Sequence, residues 1–269
     1  MRSKSLLLLG LLAAVSALAQ APAPVPTSTF NNFAKKLQNN GPMKLIGVPR
    51  PGSVTTENWS GYAVTGTNFT SARGPWIVPK VKCGTTPNTW VVHWVGIDGF
   101  SDNTVEQIGT GSNCDGTSAT YFAWYEFFPN PLKEISFMTV SPGDKMSATV
   151  TWNGSQFFLK MTDHTTSKTA SVRGTFSARR TSAEWIVEAP SSGGAILPLS
   201  DFTSVSLGDD YTGINDTNWA SDSAVTGPIS DFGGKVQKIT MVTAGGTKKA
   251  VPSALTTDGS SFKVTWKHE

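Results

Sequence analysis

An all-β fold, a sandwich or barrel of short strands, is what this sequence predicts, on three observations. Long helical periodicity is absent. Short runs rich in Val, Ile, Thr and aromatic residues recur at regular spacing, each closed by Gly, Pro, Asn or Asp. Ser, Thr and Gly are abundant, with 26 Gly in 269 residues, which suits a β-protein with many turns.

Taken in order, Val91 to Ile97 is a strong strand ended by Asp98-Gly99, and Tyr121 to Phe128 is an aromatic-rich one stopped by Pro129-Asn130-Pro131. Lys145 to Trp152 alternates, turns at Asn153-Gly154 and continues into Gln156 to Met161, the pattern of a hairpin with an Asn-Gly loop. Glu184 to Glu188 is a short strand before Ala189-Pro190; its two-residue period puts Glu184, Ile186 and Glu188 on one face and Trp185 and Val187 on the other. Val236 to Val242 and Phe262 to Trp266 complete the set. No repeat and no second boundary interrupts residues 54–269, so they read as a single domain.

The first 53 residues differ. Arg2 and Lys4, the apolar run Leu6 to Val15 and the small residues Ala17 and Ala19 have the form of a signal peptide over residues 1–19, too short to span a bilayer as an anchor. Residues 20–53 carry Lys35, Lys36, Lys44 and Arg50, a short amphipathic helix over 30–37 and several Pro breaks; they read as a basic propeptide or a flexible linker. Residues 1–53 hold six basic groups and no acid, leaving 16 basic and 19 acidic side chains in the rest. The body is therefore mildly acidic, which excludes a nucleic-acid partner argued from overall charge. Cys83 and Cys114 favour a disulfide in an exported protein, with two buried free thiols as the alternative.

Several chemistries lack their residues. His93, in an apolar strand, reads as core; His164 lies in a turn; His268 is next to the C-terminal residue. There is no G-x-S-x-G, no H-E-x-x-H or other metal-ligand spacing, and no phosphate-binding loop, so no metal and no cofactor is expected. What remains is a small set of glutamates, of which Glu126, Glu184 and Glu188 sit in aromatic or apolar strand contexts. From this segment alone, a solvated outer face is the simpler reading of Glu184 and Glu188.

Five motifs in order change that reading. Glu57-Asn58-Trp59-Ser60-Gly61-Tyr62, Trp94-Val95-Gly96-Ile97-Asp98-Gly99, Val105-Glu106-Gln107-Ile108-Gly109, Ala123-Trp124-Tyr125-Glu126 and Ala183-Glu184-Trp185-Ile186-Val187-Glu188 resemble, together, the glutamic peptidases, or eqolisins. The resemblance implies a β-sandwich of two antiparallel sheets of concanavalin A-like or jelly-roll type, with Glu188 and Gln107 as the catalytic pair. It places Trp59, Gly61, Trp94, Asp98, Trp124 and Glu126 at substrate-binding cleft positions. It also implies a secreted acid endopeptidase made with a leader, acting on protein or peptide substrates, inhibited by its own propeptide and monomeric, with no membrane partner. The destination is extracellular, or periplasmic in a Gram-negative source. Phe122, where the family pattern tends to an acid, is a departure.

The residue types fit that reaction. A Glu carboxylate, ordinarily titrating near pH 4.3, takes a proton from water and returns it to the leaving amine; a Gln amide never titrates but donates to a developing oxyanion. A Trp-lined carbohydrate-active or carbohydrate-binding sandwich using Glu126 and Glu188 is the competing reading, and a non-catalytic secreted binding module is the next; a glycosidase has no need of Gln107. Four N-x-S/T sequons start at Asn58, Asn68, Asn153 and Asn215, and a glycan on Asn58 would crowd a cleft beside Trp59.

Overall fold

The structure, a computed structural model, describes residues 39–269. The expected signal peptide over 1–19 and the expected helix over 30–37 lie outside the described residues, as does the basic segment up to residue 38.

Two layers of antiparallel strands pack face to face. One runs Ser118–Phe128, Val105–Asp115, Trp90–Ile97, Ser182–Glu188, Trp59–Thr65 and Val236–Val242, each antiparallel to the next. The other runs Lys168–Gly174, Phe157–Asp163, Lys145–Trp152 and Ser71–Ile77. From there Ser204–Leu207, Phe262–Trp266 and Lys248–Pro252 lead back to Val236–Val242, so the layers join along one edge. Ser53–Thr56 adds in parallel beside Val236–Val242, and Leu45–Arg50 folds back on it. Among the described residues, helix is limited to Asp209–Thr212 and the 3-10 stretch Ile229–Lys235.

Between the layers, Val91, Val95, Ile108, Trp185 and Val187 meet Trp76, Met146, Val150, Leu159 and Phe262. Each such side chain, fully removed from water, contributes about 1.5–3 kcal/mol. His93 points into this core, as its strand context implied, edge-on to Phe202 at 5.8 Å. The first layer is apolar on its other face too, where Trp59, Val92, Trp94, Phe122, Trp124 and Ile186 form a second cluster. The alternation expected for the 182–188 strand holds, with Trp185 and Val187 inward and Ile186 in the second cluster. Its outer face is not solvated: Glu184 and Glu188 are both buried.

The strand Val105–Asp115 carries little apolar signal because two of its positions must be empty of side chain. A Cβ on Gly109 would lie 2.0 Å from the His93 carbonyl oxygen and 2.7 Å from the Trp94 Cβ, so glycine is what lets Trp94 lie across the strand. The expected Asn-Gly hairpin is present with a longer loop. Trp152 pairs with Phe157, and the loop Asn153–Gln156 is closed by the Asn153 N–H to the Gln156 carbonyl and by the Asn153 Oδ1, which accepts from the N–H groups of Ser155 and Gln156.

Cys83 and Cys114 are joined in a disulfide across a sequence separation of 31. It ties the loop after Ile77 to the far end of the Gln107 strand. Replacing both cysteines by Ala is expected to lower unfolding stability by about 3–4 kcal/mol in the chain-entropy account. Denaturant midpoints measure this; an unchanged midpoint would contradict it.

Candidate active site

Four adjacent strands of the first layer bring the sequence-selected residues to one face. Glu188 ends the strand Ser182–Glu188 and pairs with Trp59 on one side and Val92 on the other. Gln107 pairs with Gly96 and with Glu126. Because side chains alternate, Val92, Trp94, Gln107, Glu126 and Glu188 project from the same side of the sheet, opposite to the inter-layer core.

Glu188 is 1 % exposed. The Trp94 indole donates to its Oε2 at 2.9 Å and the Asn58 amide to its Oε1 at 3.4 Å. Trp59 stands edge-on to Trp94, ring centres 4.9 Å apart, and completes the wall. Burial pushes the Glu188 carboxyl well above the ordinary range; the Trp94 and Asn58 hydrogen bonds and the Lys44 charge act against that rise. Glu126, also buried, rises for two reasons: burial first, then the charge of Glu188 nearby. It accepts a hydrogen bond from the Gln107 Nε2 at 3.0 Å. No direct hydrogen bond joins Glu188 to Gln107; a stretch of chain lies between them.

That stretch is residues 39–44. The Asn39 carbonyl accepts from the Ser191 N–H and hydroxyl, at 3.2 and 2.8 Å. The Asn40 N–H donates to Glu126 Oε2 at 3.1 Å, and the Asn40 carbonyl accepts from the Gln107 Nε2 at 2.5 Å. The Pro42 carbonyl accepts from the Asn58 amide at 3.2 Å, the Met43 N–H donates to the Gly99 carbonyl, and the Lys44 N–H donates to Asn58 Oδ1. Asn58 thus holds both the crossing chain and Glu188, and is 3 % exposed, which leaves no room for a glycan in this state. With both Gln107 amide hydrogens committed, its Oε1 has no donor among the described residues.

The remaining sequence-selected residues fall nearby, and their contacts among the described residues are with the scaffold. Asp98 bonds no indole: it accepts the N–H groups of Thr181 and Arg180, both at 2.7 Å, and so fixes the chain entering the Glu188 strand. Gly61 lies where a Cβ would fall 2.1 Å from the Trp185 carbonyl oxygen, so its place is set by backbone approach. Trp124 is fully buried in the cluster beside Trp94. Asn58, Asn40 and Ser191 belong to the site as well. Asn58 was visible as a member of the Glu57–Tyr62 motif and as a sequon beside Trp59, with no role assigned to its amide; Asn40 and Ser191 carried no signal, because their contacts are made by backbone groups or by a lone hydroxyl. A cavity of 850 Å³ lined by Arg73, Lys145, Lys160, His164 and Asp216 lies on the second layer, away from this pair.

This sandwich and the ordered motifs along it belong to a class that known proteins share. The model of the Peptidase A4 family matches residues 57–252, and the chain belongs to that family, the glutamic peptidases or eqolisins. It is 29% identical over 177 residues to aspergillopepsin-2 of Aspergillus niger, covering 56% of this chain and 62% of the relative. It is 34% identical over 137 residues to scytalidopepsin B of Scytalidium lignicola, covering 49% and 51%. The chain therefore matches less than two thirds of each curated relative's length. A crystal structure of scytalido-glutamic peptidase with a transition-state analogue inhibitor has the same fold, with a TM-score of 0.66, 21% identity, and coverage of 78% of this chain and 98% of that one.

The buried acids set the pH dependence of stability. Glu106, Glu126, Glu184 and Glu188 are raised well above the carboxylate range, and Asp98 is pushed up to about 7, burial being the first cause in each. In the unfolded chain these groups ionise near pH 4. Their contribution to folding is thus complete below about pH 4 and is lost as pH rises toward the folded values. His93 runs the other way: burial lowers it to about 3, so its contribution is complete above about pH 6.5 and is lost on acidification. Five acids outweigh one imidazole. Urea midpoints are expected to be higher at about pH 4.5 than at about pH 7; the reverse order would contradict the burial of these carboxyls.

Proposed function

We propose that this protein is a secreted acid endopeptidase in which Glu188 activates water and Gln107 polarises the scissile carbonyl. The observation that carries the reading is the crossing chain: a peptide carbonyl accepts from the Gln107 amide in a cleft walled by Glu188, Trp94 and Trp59. Glu188 takes a proton from water and returns it to the leaving nitrogen. One Gln107 amide hydrogen reaches the carbonyl while Glu126 holds the other, which leaves Oε1 free to orient the water. Glu126 is a positioning residue: it fixes which way the amide faces.

The same crossing supports the reading of the basic leader as an inhibitor that fills the cleft until it is removed. The residue 1–19 pattern supports secretion. Among the described residues no helix is long and apolar enough to cross a membrane. A peptide rather than a glycan suits the cleft, because its polar groups meet backbone N–H and carbonyl groups of extended chain.

The test is hydrolysis of a denatured protein across a pH series. Glu188→Gln is expected to lose at least about a hundredfold in kcat, the low end for a general base. Gln107→Ala is expected to lose about 3–4 kcal/mol of transition-state stabilisation. Release of sugar from a glycan with proteolysis absent would favour the carbohydrate-active alternative. Once the leader no longer covers the cleft, water reaches Glu188 and its carboxyl ionises in the ordinary range, so activity is expected below about pH 5. It is expected to fade toward neutrality, because a second charge on Glu126, beside Glu188, disturbs the amide once both acids ionise. Glu126→Gln is expected to flatten that alkaline limb while lowering kcat. A rate unchanged up to about pH 7 in the wild type would sink this mechanism.

A further inference from the structure

We propose that the sheet face from Phe122 to Asn113 is a distal subsite of the cleft, which holds the acyl side of an extended substrate and selects a large apolar side chain there. This rests on the peptidase reading above and adds the substrate class, which that reading leaves open.

Strand register places the subsite. Glu188, Val92, Gly111 and Phe122 lie opposite one another on four successive strands, so they form one row across the cleft face. The next row away from Gln107 is Trp90, Asn113 and Thr120. At about 3.3 Å per residue, Gly111 stands about 13 Å and Asn113 about 20 Å from Gln107 along their shared strand. Those spans correspond to about four and about six residues of an extended peptide whose carbonyl meets Gln107.

Two features make this stretch a binding surface. The first is an apolar floor. A Cβ on Gly111 would overlap the tip of the Phe122 ring, so the ring fills the side-chain place of that glycine instead of rising from the sheet. Val92 and the half-buried Trp90 and Leu197 belong to the same cluster. The second feature is a set of polar groups without partners. Asn113 is fully buried, yet neither its Nδ2 nor its Oδ1 has a hydrogen bond among the described residues, and the same holds for the Trp90 indole N–H. Buried polar groups ordinarily find partners, so this pair calls for one. A side-chain amide offers donor and acceptor together, the complement of a peptide group, and an indole N–H suits a carbonyl. Main chain therefore fits Asn113 and Trp90, and a large apolar side chain fits over Phe122. A charged side chain laid there would lose its water against an apolar floor.

The crossing chain gives the polarity. Its Asn39 is pinned to Ser191, in the loop whose Pro198 carbonyl accepts the Trp90 N–H. The N-terminal side of a peptide in the cleft thus faces the Trp90 end, and a substrate of the same polarity lays its acyl side on Phe122 and Asn113.

Two readouts on the active protein test this. In the first, peptides share one cut bond and carry either about two or about six residues on its acyl side. The wild type is expected to show a kcat/KM at least about tenfold higher on the longer peptide, and Asn113→Ala to shrink that ratio to about threefold or less. In the second, mass spectrometry maps cut bonds in a denatured protein mixture. Leu, Ile, Met and Phe are expected to be enriched about three to five residues before the cut bond, and Phe122→Ser to reduce that enrichment at least about threefold. The wild-type measurements decide even where a variant does not fold. A wild-type length ratio near one, a ratio unmoved in folded Asn113→Ala, or enrichment confined to the amine side would overturn this inference and leave the peptidase reading intact. A wild-type protein that hydrolyses neither the peptides nor the denatured mixture would overturn that reading, and this inference with it.

Discussion

The structure depends on keeping two carboxyls and a primary amide dry on the outer face of a sheet. A carboxylate moved out of water without partners is costly, and Glu188 sits close enough to raise the cost of charging Glu126. Two sets of hydrogen bonds offset that cost. Trp94 and Asn58 donate to Glu188, and Gln107 and a backbone N–H donate to Glu126, while residues 39–44 cover both and keep water out. Two packed layers alone would leave this face wet. The second apolar cluster, the crossing chain and the pocketed acids form one unit that the inter-layer core merely supports.

That dependence explains the placement of residues beyond the pair. Asp98 accepts two backbone N–H groups at the start of the Glu188 strand and so sets that strand's direction. Gly109 and Gly61 give up their side chains so that Trp94 can lie over one strand and the Trp185 carbonyl can approach another. Losing either glycine would displace a wall of the cleft before it touched a reacting group, so sensitivity to substitution at such positions reports on position rather than on chemistry.

Much of this was legible in the chain, and the illegible remainder has physical causes. Runs with a strong apolar signal, such as Val91 to Ile97, are read directly because sheet burial selects them. Val105–Asp115 was legible only as a motif around Gln107, since Gly109, Gly111 and Asn113 dilute its apolar pattern. The expected pairing of Glu188 with Gln107 came from ordered motifs, and alternation set Glu188 on the face of Ile186, opposite Trp185 and Val187. Their burial was not legible, because it is set by residues 39–44, whose hold on the cleft runs through main-chain groups that any sequence possesses. The loop after Trp152 shows the same limit on a small scale: the Asn-Gly pair marks a turn, and the Asn153 side-chain bonds decide its length.

The central claim is that one titrating side chain, Glu188, works beside an amide that never titrates. Carbon-13 NMR of side-chain carboxyls, assigned by Glu188→Gln in the processed protein, measures it most directly. The account predicts that the Glu188 carboxyl titrates with the same midpoint as the acid limb of kcat/KM on a peptide substrate. A Glu188 resonance that stays unchanged through that limb, while the rate rises, would contradict it.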